Sequence, residues 1–196
     1  MEGAVFRYGN HEAFYQSENR HYERNAVLLH GYSFNSDVWQ RVGLYDALLN
    51  AGFNVYGIDV PGFPNSRSRF SIDDETMVKF LKKFVDEKIG AGKVVMLGSS
   101  ASCGFVLRFA ENYSNAIKAF VLVGPAGILD ADTGKIKANM LVVWGSDDPR
   151  YAKKEGMDVL NGVKKKAVAV LEGAGHACYM DKPEEFIKSV TEFLKK

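Results

Sequence analysis

The chain alternates short apolar runs with longer segments whose apolar residues recur every three or four positions. Ala26-Val27-Leu28-Leu29 is the first such run, too short for a helix and lacking the polar alternation of a one-sided strand. A run of this kind predicts a strand buried on both faces, as inside a parallel sheet. Further strands are predicted at Asn54–Asp59, Lys93–Leu97, Lys118–Val123, Met140–Trp144 and Lys166–Leu171. Helical patterns fill the intervals. Ser36-Asp37 opens one with Val38, Trp39, Val42, Tyr45, Leu48 and Leu49 on one side, ended by Gly52. Asp73 to Ile89 carries Met77, Phe80, Leu81, Phe84 and Val85 as its stripe, and Ala101–Tyr113, Pro149–Leu160 and Pro183–Leu194 complete the set.

Strands alternating with helices predict an α/β fold, a mostly parallel central sheet covered by helices on both faces. The N-terminus differs. Val5–Tyr8 and Glu12–Tyr15 flank Gly9-Asn10-His11, which predicts an antiparallel hairpin. The stretch between Val123 and Met140 is too short for a separate lid domain, and the whole length, 1–196, suits one domain.

Composition narrows the function classes. The chain has 25 basic and 24 acidic residues, so no overall charge draws it to nucleic acid or to an anionic membrane. Lys164-Lys165-Lys166, the one dense basic run, reads as a solvated entry to the last strand. The first residues, MEGAVFRYGN, lack the charged and apolar blocks of a secretory signal. The longest apolar stretch, Ala119 to Leu129, is broken by Gly124-Pro125 and falls short of a membrane span. A cytoplasmic location is therefore expected, with a small-molecule substrate as partner; monomer and dimer both stay open. Two cysteines, Cys103 and Cys178, cannot form a disulfide framework or a four-thiolate metal site. They read as small buried hydrophobes, with a mutual disulfide as the alternative.

In a doubly wound sheet the reactive groups gather beyond the carboxyl ends of the strands. The residues there are His30-Gly31-Tyr32, Asp59-Val60-Pro61-Gly62, Gly98 through Gly104, Gly124-Pro125, Gly145 through Asp148, and Gly173 through His176. A hydroxyl nucleophile, an acid and a histidine thus follow one another in chain order. A serine hydroxyl attacks well only when an imidazole takes its proton, and a carboxylate must hold that imidazole in the useful tautomer. The stretch GSSASCG offers several nucleophiles. A strand-to-helix turn needs small residues two before and two after the nucleophile. Ser100, between Gly98 and Ser102, satisfies this and falls just past the strand; Ser102, between Ser100 and Gly104, is the rival. Ser99 has Leu97 behind it and Cys103 has Phe105 ahead of it, so neither fits. Gly98 is expected to take the strained backbone conformation of the turn.

The segments LLHGYSFNSDVW, IDVPGFPNS, GSSASCG, VVWGSDDPR and GAGHACYMDKPEEF, in this order, resemble an alpha/beta-hydrolase-fold protein over nearly the full length. The first and last of them are similar to the alpha/beta-hydrolase domain-containing protein 14 branch. This resemblance implies Ser100 as nucleophile, His176 as general base and then acid, and Asp148 as the carboxylate, with Asp147 as its alternative. It implies an oxyanion hole from the backbone N–H groups of Tyr32 and Ala101. Most relatives carry glycine where Ser102 stands, and its hydroxyl is free to bond locally. His30 reads as structural, and His11 and His21 as surface residues. Phe34, Phe63, Ile128 and Tyr179, with Tyr32, are candidate pocket residues. No metal or organic cofactor is called for. The leading expectation is a serine carboxylesterase for small short-acyl esters. The alternatives are an amide or N-acetyl-lysine deacylase, a thioesterase, carbon–carbon bond hydrolysis, or a non-catalytic binding protein on the same fold.

Overall fold

The computed structural model describes residues 1–195 apart from 69–72, 91, 127–130 and 155–156. Its centre is an eight-stranded sheet in the order β1-β2-β4-β3-β5-β6-β7-β8. The strands are β1 (Glu2–Tyr8), β2 (His11–Glu18), β3 (Arg24–Leu29), β4 (Phe53–Ile58), β5 (Val94–Ser99), β6 (Ile117–Val123), β7 (Asn139–Gly145) and β8 (Lys166–Leu171). β1 and β2 form the antiparallel hairpin, turned by Gly9 at φ 59, and β2 also runs antiparallel to β4. All pairings from β4 through β8 are parallel.

Each central strand alternates its side chains between two cores. Val27 and Leu29 join one with Met77, Phe80 and Leu81 of α3 (Asp74–Phe84) and Val106 and Phe109 of α4 (Cys103–Asn112). Ala26 and Leu28 join the other with Trp39 of α1 (Asp37–Arg41), Tyr45 and Leu48 of α2 (Leu44–Asn50), and Phe186 and Val190 of α8 (Pro183–Leu194). Burial on both faces is why these strands carry no polar alternation.

Two expectations change. The helix predicted from Ser36 to Gly52 is two helices, α1 and α2, because Gly43 adopts φ 79 between them. The segment predicted as Pro149–Leu160 holds two short helices, α5 (Pro149–Ala152) and α6 (Met157–Leu160), with Lys154 at φ 50 after the first. β8 lies where it was predicted, at the edge of the sheet, with Leu171 buried and Val168 47% exposed. Beyond it, α7 (Cys178–Asp181) follows the loop that carries His176. β6 and β7 are joined without a lid insertion, through a connection that includes the 3-10 turn Thr133–Lys135.

Candidate active site

β5 ends at Ser99 and α4 begins at Cys103, with one 3-10 turn, Ser100–Ser102, between them. Ser100 itself adopts φ 53, in the left-handed region that costs a residue with a Cβ about 1–2 kcal/mol. The expectation placed this strain on Gly98. Gly98 is required for a different reason: a Cβ there would lie 2.8 Å from the Ser102 carbonyl oxygen and 2.9 Å from Val106 Cγ2. Helix and strand touch at this point, and only glycine lets them.

Ser102 locks the turn. The Ser99 N–H donates to Ser102 Oγ at 2.9 Å, and the Ser102 N–H donates back to the Ser99 side chain. The Ser102 hydroxyl proton faces the Ser99 and Leu29 carbonyls at 3.0 and 3.1 Å. Its oxygen is buried and engaged on every side, whereas Ser100 is partly exposed. Tyr179 supports the turn from below: it is buried against Trp39 and Phe186, and its hydroxyl pairs with Ser99. Burial pushes that phenol up to about 12. Tyr179 is therefore a core residue under the site rather than an open wall of it.

The structure brings Ser100, His176 and Asp148 together. His176 Nε2 lies 2.9 Å from Ser100 Oγ, and Nδ1 lies 2.6 Å from Asp148 Oδ2. Asp148 is fully buried, and its other oxygen accepts the Arg150 N–H at 3.0 Å, capping α5. Asp147 is exposed and accepts from its neighbour Ser146. Two glycines make room for the imidazole loop. Gly124, at φ 51, would place a Cβ 3.1 Å from the His176 ring, and a Cβ on Gly145 would overlap the Ala174 and Gly175 carbonyls. The loop is also held by Asp181, whose carboxylate accepts the Gly175 N–H at 2.8 Å.

This arrangement can move a proton from the Ser100 hydroxyl to Nε2 while Nδ1–H stays on the carboxylate. Gly31 runs alongside: a Cβ there would lie 3.6 Å from Ser100 Cβ. The backbone that leads into Tyr32 thus passes close to the elbow.

His30 is a fixed strut. Its Nδ1–H donates to the Gly31 carbonyl at 2.8 Å and its Nε2 accepts the Val60 N–H at 2.8 Å. Burial lowers its basicity, in keeping with the neutral ring these bonds require. Tyr32 is 55% exposed and packs on Phe63, which also touches Phe105. Phe34 packs edge-on against Tyr179. Ile128 lies outside the described residues. Cys103 and Cys178 are free and buried, and burial raises both thiols, Cys178 to about 12. Among the described residues no group of three or more His, Cys, Asp and Glu could hold a metal ion.

The sequence reading assigned no role to two residues. Asp59, fully buried beyond β4, accepts from the Ser36 N–H and hydroxyl at 2.9 and 2.6 Å. It also accepts from Arg67 Nε and Nη2 at 2.7 and 2.9 Å. Burial alone would raise this carboxyl, but the Arg67 and Ser36 bonds outweigh it and hold the group below its ordinary range. One carboxylate therefore joins the loop bearing Phe63 to the loop bearing Tyr32 and Phe34. The second is Arg150, whose Nη1 lies 3.3 Å from His176 Nε2 and 3.5 Å from Nδ1. Its spacing of two from Asp148 was the available signal.

Comparison with known proteins agrees with this geometry. A family model described as alpha/beta hydrolase fold matches residues 27–137, the segment that contains Ser100. Protein ABHD14A of Danio rerio is 33% identical over 174 residues, 87% of this chain and 64% of that protein. The Rattus norvegicus protein named "Putative protein-lysine deacylase ABHD14B" is 32% identical over 177 residues, 87% of this chain and 83% of its own length. The crystal structure of a "predicted CIB-like hydrolase" from Thermoplasma acidophilum superposes with a TM-score of 0.87 at 28% identity, covering 99% of this chain and 97% of the other. The chain belongs to the alpha/beta-hydrolase fold family, on the branch that includes the ABHD14 proteins.

Proposed function

We propose that the protein is a serine acyl hydrolase that removes short acyl groups from amines, acylated lysine among them, through an acyl-enzyme on Ser100. The observation that carries this reading is the continuous line Ser100 Oγ, His176, Asp148, with contacts of 2.9 and 2.6 Å. The name of the rat relative, which specifies protein-lysine deacylation, favours an amide substrate over the small ester expected from the sequence.

In the first half-reaction Ser100 Oγ bonds to the acyl carbon and its proton passes to His176 Nε2. The buried Asp148 carboxylate keeps Nδ1–H in place and faces the imidazolium that forms. The carbonyl oxygen becomes an oxyanion, met by the N–H groups of Ala101 and Tyr32. Collapse breaks the carbon–nitrogen bond, and Nε2 returns the proton to the departing amine. Water then attacks the acyl-enzyme with Nε2 as base, and the free acid leaves with Ser100 restored. Esters of the same acyl group should react too, because an alkoxide is a better leaving group than an amide anion and so depends less on protonation by Nε2. Ester hydrolysis on the same three residues is the second reading.

A peptide carrying Nε-acetyl-lysine and p-nitrophenyl acetate, each given to the parent protein and to Ser100→Ala, tests both. The amine reading expects lysine and acetate from the peptide with the parent and neither with the variant. Turnover of the ester alone would replace it with the esterase reading.

A further inference from the structure

β8 is the last strand on its side of the sheet, and its outer edge carries a definite pattern. Lys165 and Leu171 turn their carbonyls inward. They accept the N–H groups of Met140 in β7 and of Ser146 just past it, at 2.8 and 3.0 Å. Backbone groups alternate sideways along a strand, so the odd-numbered residues of β8 face β7. Lys166, Val168, Val170 and the following Glu172 therefore aim their N–H and C=O groups outward. Among the described residues no partner takes those groups. The same four side chains share one face of the sheet. Val168 is 47% exposed there, and Glu172 is exposed beside it. β8 holds no proline and no charge between Lys166 and Leu171, the devices that block pairing at other sheet edges.

We propose that this edge is an interface with a second copy of the chain. β8 pairs antiparallel with β8 of the partner about a two-fold axis, joining two eight-stranded sheets into one. Only outward groups can exchange hydrogen bonds, so residues set opposite one another are both even-numbered or both odd-numbered. Among such registers the one centred on Ala169 is self-complementary. It sets Lys166 opposite Glu172 of the partner subunit and Val168 opposite Val170 of the partner subunit, and the axis repeats each pair. A slip of two residues puts Lys166 against Val170, or Glu172 against Val168, and leaves a charge facing a valine. Lys166 donates to the neutral Asn161 side chain at 2.6 Å, and its ammonium keeps two further donors for a carboxylate. The opposite edge, β1, has no such register. Its charges are Glu2 and Arg7, one even-numbered and one odd-numbered, so antiparallel pairing of two β1 strands never sets them together. Arg7 is also already paired with Glu12. One strand edge a side falls short of the roughly 1,200 Å² of a standard interface, so the dimer is weak and forms as concentration rises.

Sedimentation velocity on the full chain, from micromolar to millimolar concentration, tests this. The parent is expected to pass from monomer to dimer across the range. Lys166→Glu sets two carboxylates opposite each other at both ends of the interface, and Glu172→Lys does the same with two ammonium groups. Each variant alone should dimerise about tenfold to a hundredfold more weakly than the parent. Mixed in equal amounts, the two variants re-create both ion pairs in a mixed dimer, and association should return to the level of the parent. Val168→Pro removes one outward N–H and leaves the hydrogen bonds to β7 whole, so a folded monomer is expected. A parent that stays monomeric throughout, single variants that dimerise as the parent does, a dimeric proline variant, or a mixture no more associated than its components would each overturn the proposal.

Discussion

Ser102→Ala tests whether the elbow is held as described. The substitution removes one buried oxygen that accepts the Ser99 N–H at 2.9 Å and donates to the Leu29 or Ser99 carbonyl. The Ser99 N–H is left buried without its partner, a loss of about 1–3 kcal/mol. For a chain of this length each kcal/mol lowers Tm by about 2–4 °C, so the expected fall is roughly 2–12 °C. Ser102→Gly should be worse by roughly a further 0.5–1 kcal/mol, from the extra backbone entropy of glycine. The link to Leu29 adds a functional consequence. It joins the elbow to the end of β3, and with it the two backbone N–H groups assigned to the oxyanion. Thermal unfolding by circular dichroism, and the rate of fluorophosphonate labelling of Ser100, should therefore fall together in the order Ser, Ala, Gly. A glycine variant as stable and as readily labelled as the parent would refute this account of the turn.

Other consequences are as direct. Asp148→Asn should lower kcat by about 10³- to 10⁴-fold, because an amide no longer holds Nδ1–H against the imidazole. Asp147→Asn should leave steady-state rates within twofold. Gly124→Ala puts a methyl 3.1 Å from the His176 ring at a backbone φ of 51. It should cut acyl-transfer rates while leaving the far-ultraviolet spectrum unchanged; full activity would contradict the packing. Asp59 has a folded pKa below its unfolded value, so its contribution is present above about pH 4 and is lost as pH falls through the folded value. Asp59→Asn should cost roughly 2–4 kcal/mol at pH 7, less than a fully buried pair because Arg67 stays partly solvated. In urea titrations that deficit should narrow below pH 4, and a constant deficit would assign it to packing.

Much of this molecule was legible from one-dimensional pattern. The five strands from β3 to β7 were found because burial on both faces leaves an unbroken apolar run, and α3 because its stripe sits at helical spacing. Ser100, Asp148 and His176 each follow a strand directly, so reading the strand ends was enough to collect them. What escaped depends on contacts far apart in sequence. Gly43 looks like any tolerated glycine until its φ of 79 separates α1 from α2. β8 carries the same apolar run as its neighbours, and nothing local marks it as the edge. The Asp59 clamp needs Ser36 and Arg67, which share no spacing rule with it. The strain sits on Ser100 instead of Gly98 because helix–strand contact, not dihedral freedom, is what Gly98 supplies.

The central claim is that Ser100 carries the acyl group. Mixing the parent with excess p-nitrophenyl acetate, quenching in acid and mapping the adduct by peptide mass spectrometry addresses it directly. The account predicts a single acetyl on Ser100, absent from Ser100→Ala. An acetyl on Ser102 or Cys103, or undiminished turnover by Ser100→Ala, would contradict it.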